Sequence, residues 1–190
     1  MNYEIVTLPE KKAAGITART NNHASDMGSV IGGLWESFYA KGIFADRRGC
    51  VLGIYSDYES DENGDYDMTA ACEVSDDAGL PENLRIRTIP AGRYAKFVVR
   101  GDVQQALVQF WMELWSMNLN RTFQADFEEY HGMTGEEAEI HVYIGLNNRR
   151  GNDEYGIQTG YIGEYRRRAY LLCHVRQAEH REKGMDEAAL

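Results

Sequence analysis

The sequence is short of several things, and each shortage removes a class of protein. It has three cysteines, Cys50, Cys72 and Cys173, with no CxxC spacing. An odd, unpaired set argues against a disulfide framework or a cysteine zinc site and fits a reducing compartment. Cations are in the minority, 20 Lys and Arg against 30 Asp and Glu, for a net charge of −10. Nucleic acid is therefore not an expected direct partner, because phosphate recognition needs clustered Lys and Arg. No apolar run approaches the roughly 20 residues of a membrane span. The opening "MNYEIVTLPEKK" has no basic segment followed by an apolar one, so no secretory signal is expected. Together these absences predict a soluble, cytoplasmic protein. Proline is scarce too, but two of the three, Pro9 and Pro90, sit in matching surroundings.

That match extends into a repeat. "YEIVTLPEKKAAGITARTN" (3–21) and "LRIRTIPAGRYAKFVVRGD" (84–102) superpose without a gap at a shift of 81 residues. Each copy runs from a short alternating strand through a Thr-aliphatic-Pro step into a second strand. Each then enters a helical stretch with apolar residues three and four apart: Val30, Ile31, Leu34, Trp35 and Phe38 in one copy, and Val103, Leu107, Phe110, Trp111, Leu114 and Trp115 in the other. Asp26 and Asp102 are the expected N-caps. A strand pair closes each unit, the first around Asn63-Gly64, a strong hairpin signal.

The unit reads β-β-α-β-β, twice, which predicts an α+β fold. Two antiparallel sheet halves would be related by a pseudo-twofold axis, with their two main helices on one side and a central cleft between them. The domain spans 1–146, as repeat one (1–80) and repeat two (81–146), with a short connector around Pro81. A polar break, "NNRRGND", leads into the extension 147–190, which carries eight Lys or Arg and seven Asp or Glu and is expected to be helical from about Ile162 to Lys183. A docking appendage, a dimerisation helix and an extension of no selected function are all open readings for it.

"FQADFEEYHG" (123–132) concentrates the chemistry, with three acids among three aromatics. Strand alternation puts Phe123, Ala125, Phe127 and Glu129 on one face and Asp126, Glu128 and Tyr130 on the other. If the first face packs on the helices, Glu128 and Tyr130 line the opposite, concave surface. The plain alternative is a solvated acidic face. Tyr39, Tyr55, Tyr58, Tyr66, Tyr94, Trp111, Trp115 and Tyr143 all fall on the repeat's elements. Most belong to the core by default, but a few beside one carboxylate would form a cation site, since a buried charge needs a partner and rings offer negative π-faces.

"YEIVTLPEKKAAGI", "IPAGRYAKFVV", "LVQFWMELW", "ADFEEYHG" and "EIHVYIGL", taken in this order, resemble the GyrI-like small-molecule-binding family over residues 1 to about 146. That family includes the effector-binding domains of multidrug-responsive transcription regulators. The resemblance implies a ligand cleft on the pseudo-twofold axis and an acid within it that pairs with lipophilic cations. The family's acid follows an aromatic in an "FE-x-Y" step, which matches Glu128 after Phe127. A free-standing acidic chain also resembles the cation-binding modules of mobile gene cassettes. It departs from the regulators in having no helix-turn-helix, so transcription control would need a partner to contact DNA.

Non-catalytic binding of hydrophobic cations follows, with Glu128 as anchor and Tyr130, Tyr55, Trp111, Tyr94 and Trp115 as candidate walls. One alternative is a hydrolase of strained electrophiles, with Glu128 as base and a tyrosine such as Tyr55 as acid. Another is a gyrase-interacting protein, although "SDYESDENGDYD" is the one dense acidic cluster and reads as a hairpin tip. A regulator partner or a homodimer is compatible with the pattern. No cofactor is expected, and the five histidines, His23, His131, His141, His174 and His180, share no ligand spacing, so no metal is expected either.

Overall fold

The computed structural model describes residues 1–42, 50–75, 84–131 and 138–148. The connector around Pro81, the turn "GMTGEE" and the extension beyond 148 lie outside the described residues.

The first copy of the repeat forms β1 (Glu4–Leu8), β2 (Lys11–Thr20), α1 (Met27–Ala40), β3 (Val51–Ser56) and β4 (Tyr66–Val74). The second forms β5 (Arg85–Ile89), β6 (Gly92–Gly101), α2 (Val103–Leu114), β7 (Arg121–His131) and β8 (Ala138–Leu146). Both expected caps stand at the helix starts. Asp102 accepts a bond from the Gln105 amide at 3.0 Å, whereas Asp26 makes no side-chain cap bond. β3 and β4 pair as the hairpin signal predicts, but residues 57–65 join them, a longer link than a two-residue Asn-Gly turn, and the positive φ in it is at Asp57 (50°) rather than at Asn63 or Gly64.

The eight strands of the described residues join one antiparallel sheet in the order β1-β6-β8-β7-β3-β4-β2-β5. Exchanging the two copies reverses this order without changing it, so the pseudo-twofold axis passes between β7 and β3. The first strand of each copy is traded: β1 pairs with β6, and β5 with β2.

This order forces the sheet to bend. β1 and β2 stand six positions apart, about 29 Å in a flat sheet. Yet Leu8 and Lys11 are joined by only two residues, a reach of about 10 Å. The same holds for β5 and β6 across Pro90-Ala91. The sheet's ends must therefore approach, and the side enclosed by the bend fills with one core. Leu52, Ile54, Ala71, Ala13, Ile89, Tyr94, Phe127 and Tyr143 form it, with Val6 and Leu8 packed against them, so every strand contributes.

Both helices lie on the outer face, as the repeat predicts. Phe110 and Leu114 of α2 pack on Ala95, Phe97, Ile140, Val142 and Ile144. Leu34 and Phe38 of α1 pack on Tyr66, Met68, Ala70 and Cys72. Here one expectation is reversed. The helices cover the face that carries Glu128 and Tyr130, while Phe127 points into the bend. Alternation could not show this, because Ala125 to Glu129 are all buried and neither face of that stretch meets solvent.

A second correction concerns Phe123. Its backbone has φ of 52°, and the β7–β8 register shifts between Arg121 and Asp126. This irregularity turns Phe123 out of phase with Phe127. It packs edge-on against Tyr58, a neighbour of the α1-side core, with ring centroids 5.6 Å apart.

Candidate functional site

Glu128 sits on β7 at the centre of the outer face, next to the pseudo-twofold axis. Its side chain is 1% exposed. Three donors hold it: Tyr55 Oη at 3.0 Å and Trp111 Nε1 at 2.9 Å bond Oε1, and Tyr130 Oη bonds Oε2 at 2.6 Å. All three are neutral. Burial raises the Glu128 pKa, although the bonds from Tyr130, Trp111 and Tyr55 oppose the rise. The phenols respond in turn, and burial followed by the adjacent carboxylate pushes Tyr55 and Tyr130 well above the ordinary tyrosine range.

Its neighbours on the same strand are different. Asp126, fully buried, pairs with Arg121 at 2.7 Å and also accepts bonds from Tyr58 Oη and the Gly145 amide. Arg121 and Asp126 lie an odd number of residues apart and would face opposite ways on a regular strand. The irregularity at Phe123 brings them together. Glu129, on the inner face, pairs with Lys11 at 2.6 Å and accepts from Tyr143 at 2.9 Å. Burial acts to raise the Glu129 pKa, but Lys11 and Tyr143 outweigh it and the net shift is downward. Of the three acids in this strand, Glu128 alone has no cationic partner among the described residues.

Register explains what surrounds it. β4 maps onto β8 at a shift of 72, since Tyr66 and Ala138 are their first residues. Met68 therefore corresponds to Ile140 and Ala70 to Val142. Met68 pairs with Tyr55 and Ile140 with Tyr130, while Ala70 pairs with Gly53 and Val142 with Glu128. Tyr55 and Tyr130 are thus the same position in the two copies, as are Gly53 and Glu128. The helices agree. Trp35 lies nine residues after the cap Asp26, and Trp111 nine after Asp102.

Two tyrosines and two tryptophans, all half-buried, are thus duplicated about the axis. Tyr55 meets Trp111 at 4.9 Å between ring centroids, and Trp35 meets Tyr130 at 5.3 Å, both edge-on. The acid is present once. Where its symmetry mate would stand there is Gly53, directly opposite in the β3–β7 ladder.

Of the candidate walls, Tyr130, Tyr55 and Trp111 all touch the carboxylate. Tyr94 does not share their face: it packs in the inner core, 5.6 Å from Phe127 between centroids, and donates to the Pro90 carbonyl at 2.7 Å. Trp115 stands at the C-cap of α2, four residues past Trp111. Trp35 and Gly53 were missed by sequence reasoning, yet the repeat contained the signal, because both occupy positions equivalent to site residues.

A duplicated α+β unit with this strand order and both helices on one face defines the class: it is an effector-binding domain of the GyrI-like fold. Within that class, the chain belongs to the integron-associated effector binding protein family, whose model matches residues 4–146. An integron cassette protein from the mobile metagenome of Vibrio cholerae is similar in structure, with a TM-score of 0.65 and 26% identity, covering 76% of this chain and 95% of that one. SAV2435, solved bound to tetraphenylphosphonium, shares the fold at a TM-score of 0.65 and 21% identity, covering 77% of this chain and 94% of its own. In sequence, the chain is 28% identical to YobU of Bacillus subtilis (strain 168), whose name assigns it provisionally to transcriptional regulation, over 75% of this chain and 96% of YobU. Among the described residues, no helix is long and apolar enough to cross a membrane.

Proposed function

We propose that this protein binds hydrophobic, cationic small molecules without transforming them, and that Glu128 is the anion they pair with. The observation that carries this reading is the contrast along β7, where two buried acids own a cation and the third has, among the described residues, only neutral donors. An ionised carboxylate buried without a counter-charge is costly. A cationic ligand would offset that cost, and the rings of Trp35, Tyr55, Trp111 and Tyr130 would give its apolar surface a wall with negative π-faces.

Because the carboxylate lies beneath half-buried rings, a ligand has to swing some of them aside. The helices are set for this, with α1 over β2 and β4 and α2 over β6, leaving the central strands between them. Tetraphenylphosphonium, the lipophilic cation named for SAV2435, is a ligand of the expected chemistry. YobU's name supports a regulatory setting, in which residues 1–146 sense the ligand and a partner contacts DNA.

A thermal-shift screen of lipophilic cations against neutral analogues of the same shape tests the reading. Cations are expected to raise the melting temperature of the wild-type protein and to do so much less for Glu128→Gln. Equal stabilisation by neutral analogues, or an unchanged shift in the variant, would remove Glu128 from the role.

A further inference from the structure

The β7–β8 ladder carries a second constellation on its other face, at the rim of the bend. Glu129 pairs directly with His141, and His131 pairs directly with Glu139. Residues two apart on a strand share a face, so two histidines and two glutamates form a checkerboard with the histidines on one diagonal. The imidazole rings lie 4.2 Å apart between centroids. Ligand atoms of Glu129, His131 and His141 all fall within 4.8 Å of one another. His131 Nε2 is 3.5 Å from Glu129 Oε2, and His141 Nε2 is 2.8 Å from Glu139 Oε1.

We propose that His131, His141 and Glu129 bind a borderline divalent metal ion, of which Zn²⁺ is the type. Two imidazoles and a carboxylate suit Zn²⁺ or its neighbours in the first transition row, whereas Mg²⁺ and Ca²⁺ favour all-oxygen sites. The His131 side chain is 38% exposed, so water can serve as a further ligand there. The register places the three side chains on one face, and closing their ligand atoms around an ion about 2.0–2.2 Å from each calls for side-chain rotation in which His141 exchanges its contact with Glu139 for the ion.

Second partners orient the carboxylate. Glu129 Oε2 accepts from Tyr143 Oη at 2.9 Å, and Oε1 is held by Lys11 at 2.6 Å. Groups of this kind set the direction of a metal-ligating side chain. They also limit affinity. Lys11 on Glu129, and Arg100 at 2.7 Å from Glu139, already balance both carboxylates. The imidazoles therefore supply most of the selectivity, and the site is one for a reversibly held ion rather than a permanent structural one. Sequence spacing hid it, because the histidines lie on different strands and converge only through register.

Zn²⁺ titrated into the full, untagged chain by calorimetry, with Mg²⁺ as control, tests the site. One equivalent of Zn²⁺ is expected to bind while Mg²⁺ does not. His131→Ala and His141→Ala should each weaken Zn²⁺ binding at least about ten-fold, the scale of losing even an outer partner at a metal site. Both side chains are partly exposed, so circular dichroism should show the fold intact in each variant. Absence of wild-type binding, or affinity that survives either substitution through the tail histidines or the cysteines, overturns the proposal.

Discussion

Gly53 and Glu128 are equivalent positions in the two copies of the repeat, and they face each other across the β3–β7 ladder. A Cβ at Gly53 would lie 2.8 Å from Glu128 Oε2, 3.2 Å from Met68 Cε and 3.3 Å from Trp35 Cζ2. The two copies supply paired rings, and glycine at one of the two equivalent positions leaves a single acid with room to sit on the axis.

Gly53→Ala tests that relationship. The carboxylate is the end of a flexible side chain, but three hydrogen bonds fix it and it cannot yield cheaply. Overpacking of this kind costs about 1–3 kcal/mol. Urea denaturation should show a loss of stability in that range, and ligand affinity should fall with it.

Glu128→Gln is expected to stabilise the empty protein at neutral pH. The folded-state pKa of Glu128 is raised, so its contribution favours folding below the unfolded carboxyl value and is lost as pH rises through the folded one. At neutral pH the wild type carries that cost and the glutamine does not. Melting temperatures of the two proteins should differ at neutral pH and converge in acid.

Arg121→Met should act in the opposite direction. Arg121 and Asp126 have side chains 8% and 0% exposed, and removing the guanidinium strands a buried carboxylate. Breaking such a pair costs roughly 3–5 kcal/mol. Arg100→Ala, which breaks a pair whose arginine is 70% exposed, should cost less than about 1 kcal/mol. Chemical denaturation of both variants checks the contrast.

The hydrogen bonds from Tyr130, Trp111 and Tyr55 pull the Glu128 pKa down against burial, and the bond from Tyr130 is the shortest, at 2.6 Å against 3.0 Å for Tyr55. Removing one leaves burial less opposed. In Tyr130→Phe the loss of cation affinity on acidification should begin at higher pH than in the wild type, and further up than in Tyr55→Phe. A titration of affinity against pH in the three proteins reads this directly.

Much of this was legible in the sequence. The 81-residue repeat carried the element order, the symmetry and the helices' common side. "FEEY" contained the acid with its aromatic neighbours. What stayed hidden was which face the helices cover, because β7 is buried on both sides and alternation loses its contrast. The partners of the other two acids were hidden as well. Arg121 reaches Asp126 only through the backbone irregularity at Phe123, and Lys11 reaches Glu129 across 118 residues of chain. Without those two pairings, no reading of the strand alone could single out the acid that lacks a cation among the described residues.

The most direct test is a calorimetric titration of tetraphenylphosphonium into the wild type and Glu128→Gln, repeated as pH is lowered from about 8 to about 4. The wild type should bind at high pH and lose affinity as Glu128 takes up its proton. The variant should bind about ten-fold more weakly or worse, equivalent to about 1.4 kcal/mol, with no such dependence on pH. Equal affinity in the two proteins, or the same pH profile in both, would contradict the assignment of Glu128 as the ligand's counter-charge.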